Sequence, residues 1–188
     1  MRASAMLALL PALYPGGGHL RDGEFRLTVL DTGRSVAIIL QTRERALLFD
    51  NGESWGSGGA TARATLLPAL RALRVRRLDR VIMPRLDRDR AAGLVALAAE
   101  FPIGQWQLGH AAADPGMAVA GLPPEFQPCT AGHWFWNGVR VALLGDRRCT
   151  LRIVGADGTT VLLPTELDAS EQRQLASTSA ARCDVLVV

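Results

Sequence analysis

Lysine is absent from this sequence: all 21 of its basic residues are arginine. Every positive charge therefore carries a planar fork that can bond a carboxylate or a phosphate through two parallel N–H groups. Histidine is nearly as scarce. His19, His110 and His133 stand far apart, so no close pair of imidazoles announces a zinc site. Three cysteines, Cys129, Cys149 and Cys183, show no C-x-x-C spacing and no nearby His pair, which excludes the common metal-binding frameworks. Cys183 reads as a small buried residue; Cys129 and Cys149 pair if the domain is exported and stay as thiols if it is cytosolic. With only 5% aromatic residues, the core has to come from aliphatic strands and Ala-rich helices. No long hydrophobic run exists either: the amino end, MRASAMLALLPALYPGGGHL, is apolar for about ten residues, against about twenty for a bilayer-spanning helix. It reads as a poor signal-peptide core or as the stump of a longer membrane segment.

What is present suits one globular domain. At 188 residues, 48% of them hydrophobic, the chain is long enough to bury a substantial core. The net charge of +3 is too small to establish a nucleic-acid partner, but the arginines cluster. Residues 71–90 hold Arg71, Arg74, Arg76, Arg77, Arg80, Arg85, Arg88 and Arg90 against Asp79, Asp87 and Asp89. Such a face can follow a phosphate backbone, and it can equally be a charged helix surface kept soluble by arginine.

Residues 1–22 read as an apolar and Gly-rich lead-in, and the ordered domain as 23–188. FRLTVL, SVAIILQT and ALLFD are short strand-like runs separated by turn residues, an expected antiparallel meander. A helix follows over 61–73, where Ala64, Leu67, Leu70 and Leu73 recur every third residue and Pro68 marks a kink or a later start. Then come a strand, DRVIM, a charged loop, a helix over 91–101, a strand, GQWQLG, and a long surface loop over 111–127. GVRVALLG, CTLRIVG and TTVLLP are three further strands, the last two joined by an ADG hairpin turn. A helix over 169–176 and a terminal strand, CDVLVV, end the chain. Two sheets between outer helices would bury all these faces.

The densest chemistry lies in RVIMPRLDRDRAAGL, residues 80–94, where Arg85, Asp87, Asp89 and Arg90 crowd the loop between a strand and a helix. A loop at the carboxyl end of a buried strand is a usual place for chemistry, because a rigid scaffold aims its side chains into one cleft. The plain alternative is a solvated turn with two incidental Asp/Arg pairs.

The order of elements and several local sequences resemble the metallo-β-lactamase-like domain at the carboxyl end of ComEC-type competence proteins, inner-membrane channels for transforming DNA. GEFRLTVLDTGRSVAIILQT is similar to the family's opening strand pair, ALLFDNG to its A-L-L-x-D-T-G, and LLPALRALRVRRLDRVIM to the helix and strand before its metal loop. QPCTAGHWFWNGVRVALL, DRRCTLRI and TTVLLPTELDASEQRQL resemble three later family segments in the same order. The resemblance covers most of residues 23–188. It implies an α+β fold, a four-layer αββα sandwich of the metallo-β-lactamase type, here expected to be truncated at its carboxyl end. It also implies a membrane segment or linker before residue 23, a place at the periplasmic face of the inner membrane beside a channel portion, and a Cys129–Cys149 disulfide at the family's two cysteine positions.

The departures fall on the chemistry. Active members carry H-x-D-x-D-H or H-x-H-x-D-H in the loop that here reads Arg85-Leu86-Asp87-Arg88-Asp89-Arg90. Both His positions hold arginine, which has no lone pair for a metal. The Asp that would bridge two ions is Glu166, preceded by Thr165 where the family has Gly. Asp31 and Asp50 persist, although an Asp in a tight turn often only caps backbone N–H groups. The expectation is a metal-free vestigial cleft of Asp31, Asp50, Asp87, Asp89 and Glu166, with Arg85 and Arg90 bridging Asp87, Asp89 and Glu166 where the metal stood. The domain would then be structural, or would guide single-stranded DNA along Arg74, Arg77, Arg80 and Arg88. An alternative is a nuclease using Asp87, Asp89 and Glu166 with Zn²⁺, Mn²⁺ or Mg²⁺, and a further one is a gene remnant without function. Trp134 and Trp136 alternate with Phe135 on a strand and are expected to pack on the inner sheet face rather than stack on DNA bases.

Overall fold

A computed structural model describes residues 18–33, 35–52, 60–109, 126–144, 149–164, 169–178 and 181–187, with Arg88, Asp89 and Glu171 described in backbone only. The expected meander forms: β1 (Arg26–Asp31), β2 (Val36–Gln41) and β3 (Ala46–Asn51) pair antiparallel in sequence order. The same sheet then continues in parallel through β4 (Leu78–Met83), β5 (Ile103–Leu108) and β6 (Gln127–Pro128). Parallel neighbours need crossovers, which is why helices occupy the connections. The first crossover helix opens as a π turn over Ala62–Leu66 and continues as α1 (Leu67–Ala72); the second is α2 (Arg88–Glu100).

β2 and β3 are apolar on both faces because both faces are covered. Ala37, Ile39, Ala46 and Leu48 pack with Val81 and Met83 against Leu66, Leu67, Leu70, Leu94 and Leu97 of the helices. Their alternates Ile38, Leu40, Leu47, Phe49 and Ile82 pack into a second sheet. That sheet runs β7 (Gly132–Trp136), β8 (Val139–Leu143), β9 (Leu151–Val154), β10 (Thr160–Leu163) and β11 (Val185–Leu186) in spatial sequence. Val139, Val141, Leu151, Ile153, Val161 and Leu163 form its inner face. The β10–β11 pair is parallel, and α3 (Ala169–Ala176) lies in its crossover.

Three expectations need adjusting. The helix read over 61–73 is not uniform: Pro68 lacks the N–H of a continuous helix and its ring crowds the preceding turn, and a widened π turn precedes it. The loop read over 111–127 ends earlier, since Gln127 is in β6, paired to Gln107. The closing strand read as CDVLVV forms only two ladder pairs, Val161↔Val185 and Leu162↔Leu186. Trp134 and Trp136 pack on the inter-sheet core while Phe135 points outward, as their alternation indicated.

Candidate active-site cleft

The carboxyl ends of β3 and β4 meet at the mouth of the first sheet. β3 stops there because Asp50 turns into the left-handed region (φ 55°), followed by Gly52 at φ 76°. Both residues belong to an Asx-type turn in which Asp50 Oδ1 accepts the N–H groups of Asn51 (2.7 Å) and Gly52 (3.1 Å). β4 ends at Met83, and Asp87 caps α2 by accepting the N–H of Arg90 at 2.9 Å.

This cap aims Arg90 into the protein. Only 2% of its side chain is exposed, and it lies between the two carboxylates: Nε donates to Asp50 Oδ1 (3.3 Å) and Nη1 to Asp87 Oδ2 (2.5 Å). Asn51 Nδ2 donates to the Arg90 carbonyl (2.8 Å) and ties the end of β3 to the first turn of α2. Gly93 is part of the same junction, since a Cβ there would lie 2.7 Å from Asn51 Nδ2. Arg85 stands at the rim, half-exposed, with Nη2 3.5 Å from Asp87 Oδ2.

The two carboxylates are shifted in opposite directions. Burial pushes Asp50 above the ordinary carboxylate range despite the opposing Arg90 guanidinium and two N–H donors. Burial acts on Asp87 in the same direction, but the N–H and guanidinium of Arg90, helped by Arg85, outweigh it and hold Asp87 low. Arg90 itself is held above its usual range: burial disfavours its charge, and Asp50 and Asp87 more than offset that.

Asp31, expected in the cleft, is exposed and accepts the Gly33 N–H (2.7 Å), a local turn cap. Its turn does reach the cleft, through buried Thr32 packed on Gly52. The side chain of Asp89 and the whole of Glu166 lie outside the described residues, as does His110. Among the described residues, no three His, Cys, Asp or Glu side chains group as a metal-ligand set. Cys129 and Cys149 meet as a disulfide pair, with Cα atoms 5.3 Å apart, buried beneath the cleft end of the inter-sheet core.

No protein-family model matches the chain. Its sequence is 29% identical over 168 residues to competence protein ComA of Neisseria gonorrhoeae, and 25% identical over 180 residues to recombination protein 2 of Haemophilus influenzae. These matches take in 82% and 90% of this chain but only 21% and 22% of those proteins, so the chain spans about a fifth of their length. A metallo-β-lactamase from Cronobacter sakazakii superposes with a TM-score of 0.61 at 19% identity, over 86% of this chain and 75% of that one. The chain has the metallo-β-lactamase fold, and its sequence is similar to proteins named competence protein ComA and recombination protein 2.

In this metallo-β-lactamase-like domain the arginines of residues 71–90 do not form one surface. Arg80 shares the strand face of Ile82, points between the sheets, lies 3.9 Å from the Trp134 ring centroid and donates to Gln107 (3.3 Å). That placement corrects its reading as a solvent-facing residue. Arg77 is exposed and 3.4 Å from Asp79, Arg74 is exposed in the turn after α1, Arg71 pairs with Glu100, and the Arg88 side chain is outside the described residues. Sequence reading also passed over two buried polar residues. Asp79 accepts from Arg45 (2.7 Å) and the Ala46 N–H (3.0 Å). Its signal was its parity: it shares a strand face with core residues Val81 and Met83, where a carboxylate needs partners. Asn51 carried only a turn signal. Among the described residues, no helix is long and apolar enough to cross a membrane.

Proposed function

We propose that this domain serves DNA uptake without hydrolytic chemistry of its own, with an Arg90-centred ion-pair cluster standing where relatives of the fold hold metal. The observation that carries this reading is the buried Arg90 guanidinium between Asp50 and Asp87. A divalent ion does not fit that donor set. Arg90 brings charge and no lone pair, and a dication placed beside it meets like-charge repulsion in a poorly solvated pocket. The cluster instead gives the β3 and β4 loops a fixed geometry, since each carboxylate finds its counter-charge inside the protein.

The remaining role is structural or DNA-guiding, beside the membrane-channel portion of a ComEC-type protein at the periplasmic face of the inner membrane. The relatives' names, competence and recombination proteins, support a connection with DNA. A Cys129–Cys149 disulfide suits that oxidising compartment.

The deciding measurement is metal content after equilibration of the folded domain with Zn²⁺ and Mn²⁺. Metal far below one equivalent supports the reading, because a structural site would retain its ion tightly. Near-stoichiometric metal would overturn it and favour the alternative of a metal-dependent nuclease using Asp87, Asp89 and Glu166. Replacing Arg85 and Arg90 with His is expected to create metal binding on the intact scaffold.

A further inference from the structure

The outer face of β7, β8 and β9 carries side chains that neither the cleft nor the core uses. β7 and β8 are joined by Asn137 and Gly138, both at positive φ (49° and 80°), a primed two-residue turn that sets their register without slip. That register places Phe135 opposite Arg140 and His133 opposite Ala142, and the next ladder places Ala142 opposite Arg152. Trp134, Trp136, Val139, Val141, Leu151 and Ile153 point inward, so these residues necessarily point out.

Phe135 is 63% exposed, the most exposed large hydrophobic side chain among the described residues. His133 lies against it with ring centroids 5.8 Å apart and planes perpendicular, on the same strand face. Arg140 is exposed directly across the ladder. Arg152, half-buried, reaches the Arg182 carbonyl (3.5 Å). No carboxylate occupies any outward position of these three strands among the described residues. Several arginines of residues 71–90 are, by contrast, engaged: Arg71 by Glu100, Arg77 by Asp79 and Arg80 by Trp134.

We infer that this β7–β9 face binds single-stranded DNA, with Phe135 as the stacking platform and Arg140 as the neighbouring phosphate contact. The inference rests on the reading of the domain as part of DNA uptake and supplies that reading with a surface. Directly opposed side chains on an antiparallel pair have Cβ atoms about 5 Å apart, close enough for one nucleotide to lay its base on Phe135 and its phosphate on Arg140. A single strand offers such a base, because its π faces are free, whereas a duplex keeps its bases stacked on one another. The positive face without carboxylates complements the backbone charge.

The test is fluorescence anisotropy of a labelled oligothymidine with the full chain, across a salt series. Urea midpoints of each variant establish that it folds as the parent does. Phe135→Leu, which keeps bulk and loses the ring, is expected to weaken binding by roughly 5- to 100-fold, the range for one stacked base. Phe135→Trp is expected to retain binding. Arg140→Ser is expected to weaken it and to flatten the salt dependence by about 0.7 in log–log slope, one phosphate contact on a single strand. Unchanged affinity in Phe135→Leu and Arg140→Ser, with loss in Arg74→Glu/Arg77→Glu, overturns this surface while leaving the uptake reading in place. Absence of oligothymidine binding by the parent overturns both this surface and the DNA-guiding role. A dimer that Phe135→Ser dissolves also overturns it, by assigning the face to a second copy.

Discussion

Arg90 Nε lies 3.3 Å from Asp50 Oδ1, although 40 residues separate them. The contact joins the end of β3 to the start of α2 and neutralises a carboxylate that has little access to water. Breaking one side of such a pair leaves an uncompensated buried charge, which typically costs more than the pair itself contributes.

Arg90→Ala is accordingly expected to lose about 3 kcal/mol in urea unfolding at neutral pH. The double variant Asp50→Asn/Arg90→Met is expected to recover most of that loss, because the Asn Oδ1 still accepts the Asn51 and Gly52 N–H groups while no uncompensated charge stays at position 50, and Asp87 retains access to water. Equal destabilisation of the single and double variants would count against an ion-pair role for Arg90.

The two carboxylates have opposite pH signatures. Asp87, held low in the folded state, contributes stability that is full above the ordinary value near 3.9 and is lost as pH falls through its lowered folded value. Asp50, held high, behaves in the reverse sense: its contribution is full below the ordinary value and is lost as pH rises through its raised folded value. Asp87→Asn should therefore remove part of the acid-side loss, and Asp50→Asn part of the decline on the other side. Unfolding free energies from about pH 2 to about pH 8 in the three proteins check the signs; superimposable curves would refute them.

Gly52 combines φ 76° with a Thr32 Cβ that would sit 2.6 Å from any added Cβ. Gly52→Ala is expected to cost about 2 kcal/mol or more from backbone strain and crowding together. Adding Thr32→Gly should return only part of it, since the positive φ remains. Full rescue in thermal unfolding would show that crowding alone sets the cost.

Cys129 and Cys149 close a loop with a sequence separation of 20. Cys129→Ser/Cys149→Ser is expected to lose about 3 kcal/mol by the chain-entropy relation for a loop of this length, and the parent in reductant should lose the same. Free-thiol counts of three rather than one in the unreduced, unfolded chain would show that the bridge does not form, with Cys183 as the residual thiol.

The architecture was largely legible from the residues. Short aliphatic and β-branched runs bounded by turn residues marked β1 to β3, β4, β5 and β8 to β10, and two sheets between outer helices were expected to bury their faces. Less was legible where a neighbour decides. β6 has two residues and exists because Gln107 and Leu108 offer a free edge, so no local pattern distinguishes it from loop. The charged loop was recognised as unusual, and Arg90 was read as bridging Asp87, Asp89 and Glu166; the Asp87 contact forms, while the Asp89 side chain and Glu166 lie outside the described residues. Asp50 was named as part of the cleft with no hint that Arg90 would be its partner.

By itself, then, the sequence determined what is local and periodic: strand faces, turn residues, and the crowding of arginines among the carboxylates of residues 85–90. Tertiary structure alone decided the rest, because burial and pairing depend on residues distant in the chain. It sent Arg80 between the sheets onto Trp134, sealed Arg90 between Asp50 and Asp87, and left Phe135 beside Arg140 on an open face. An arginine's charge is encoded at its own position, but whether water, an aromatic ring or a carboxylate surrounds that charge is set only when the sheets close.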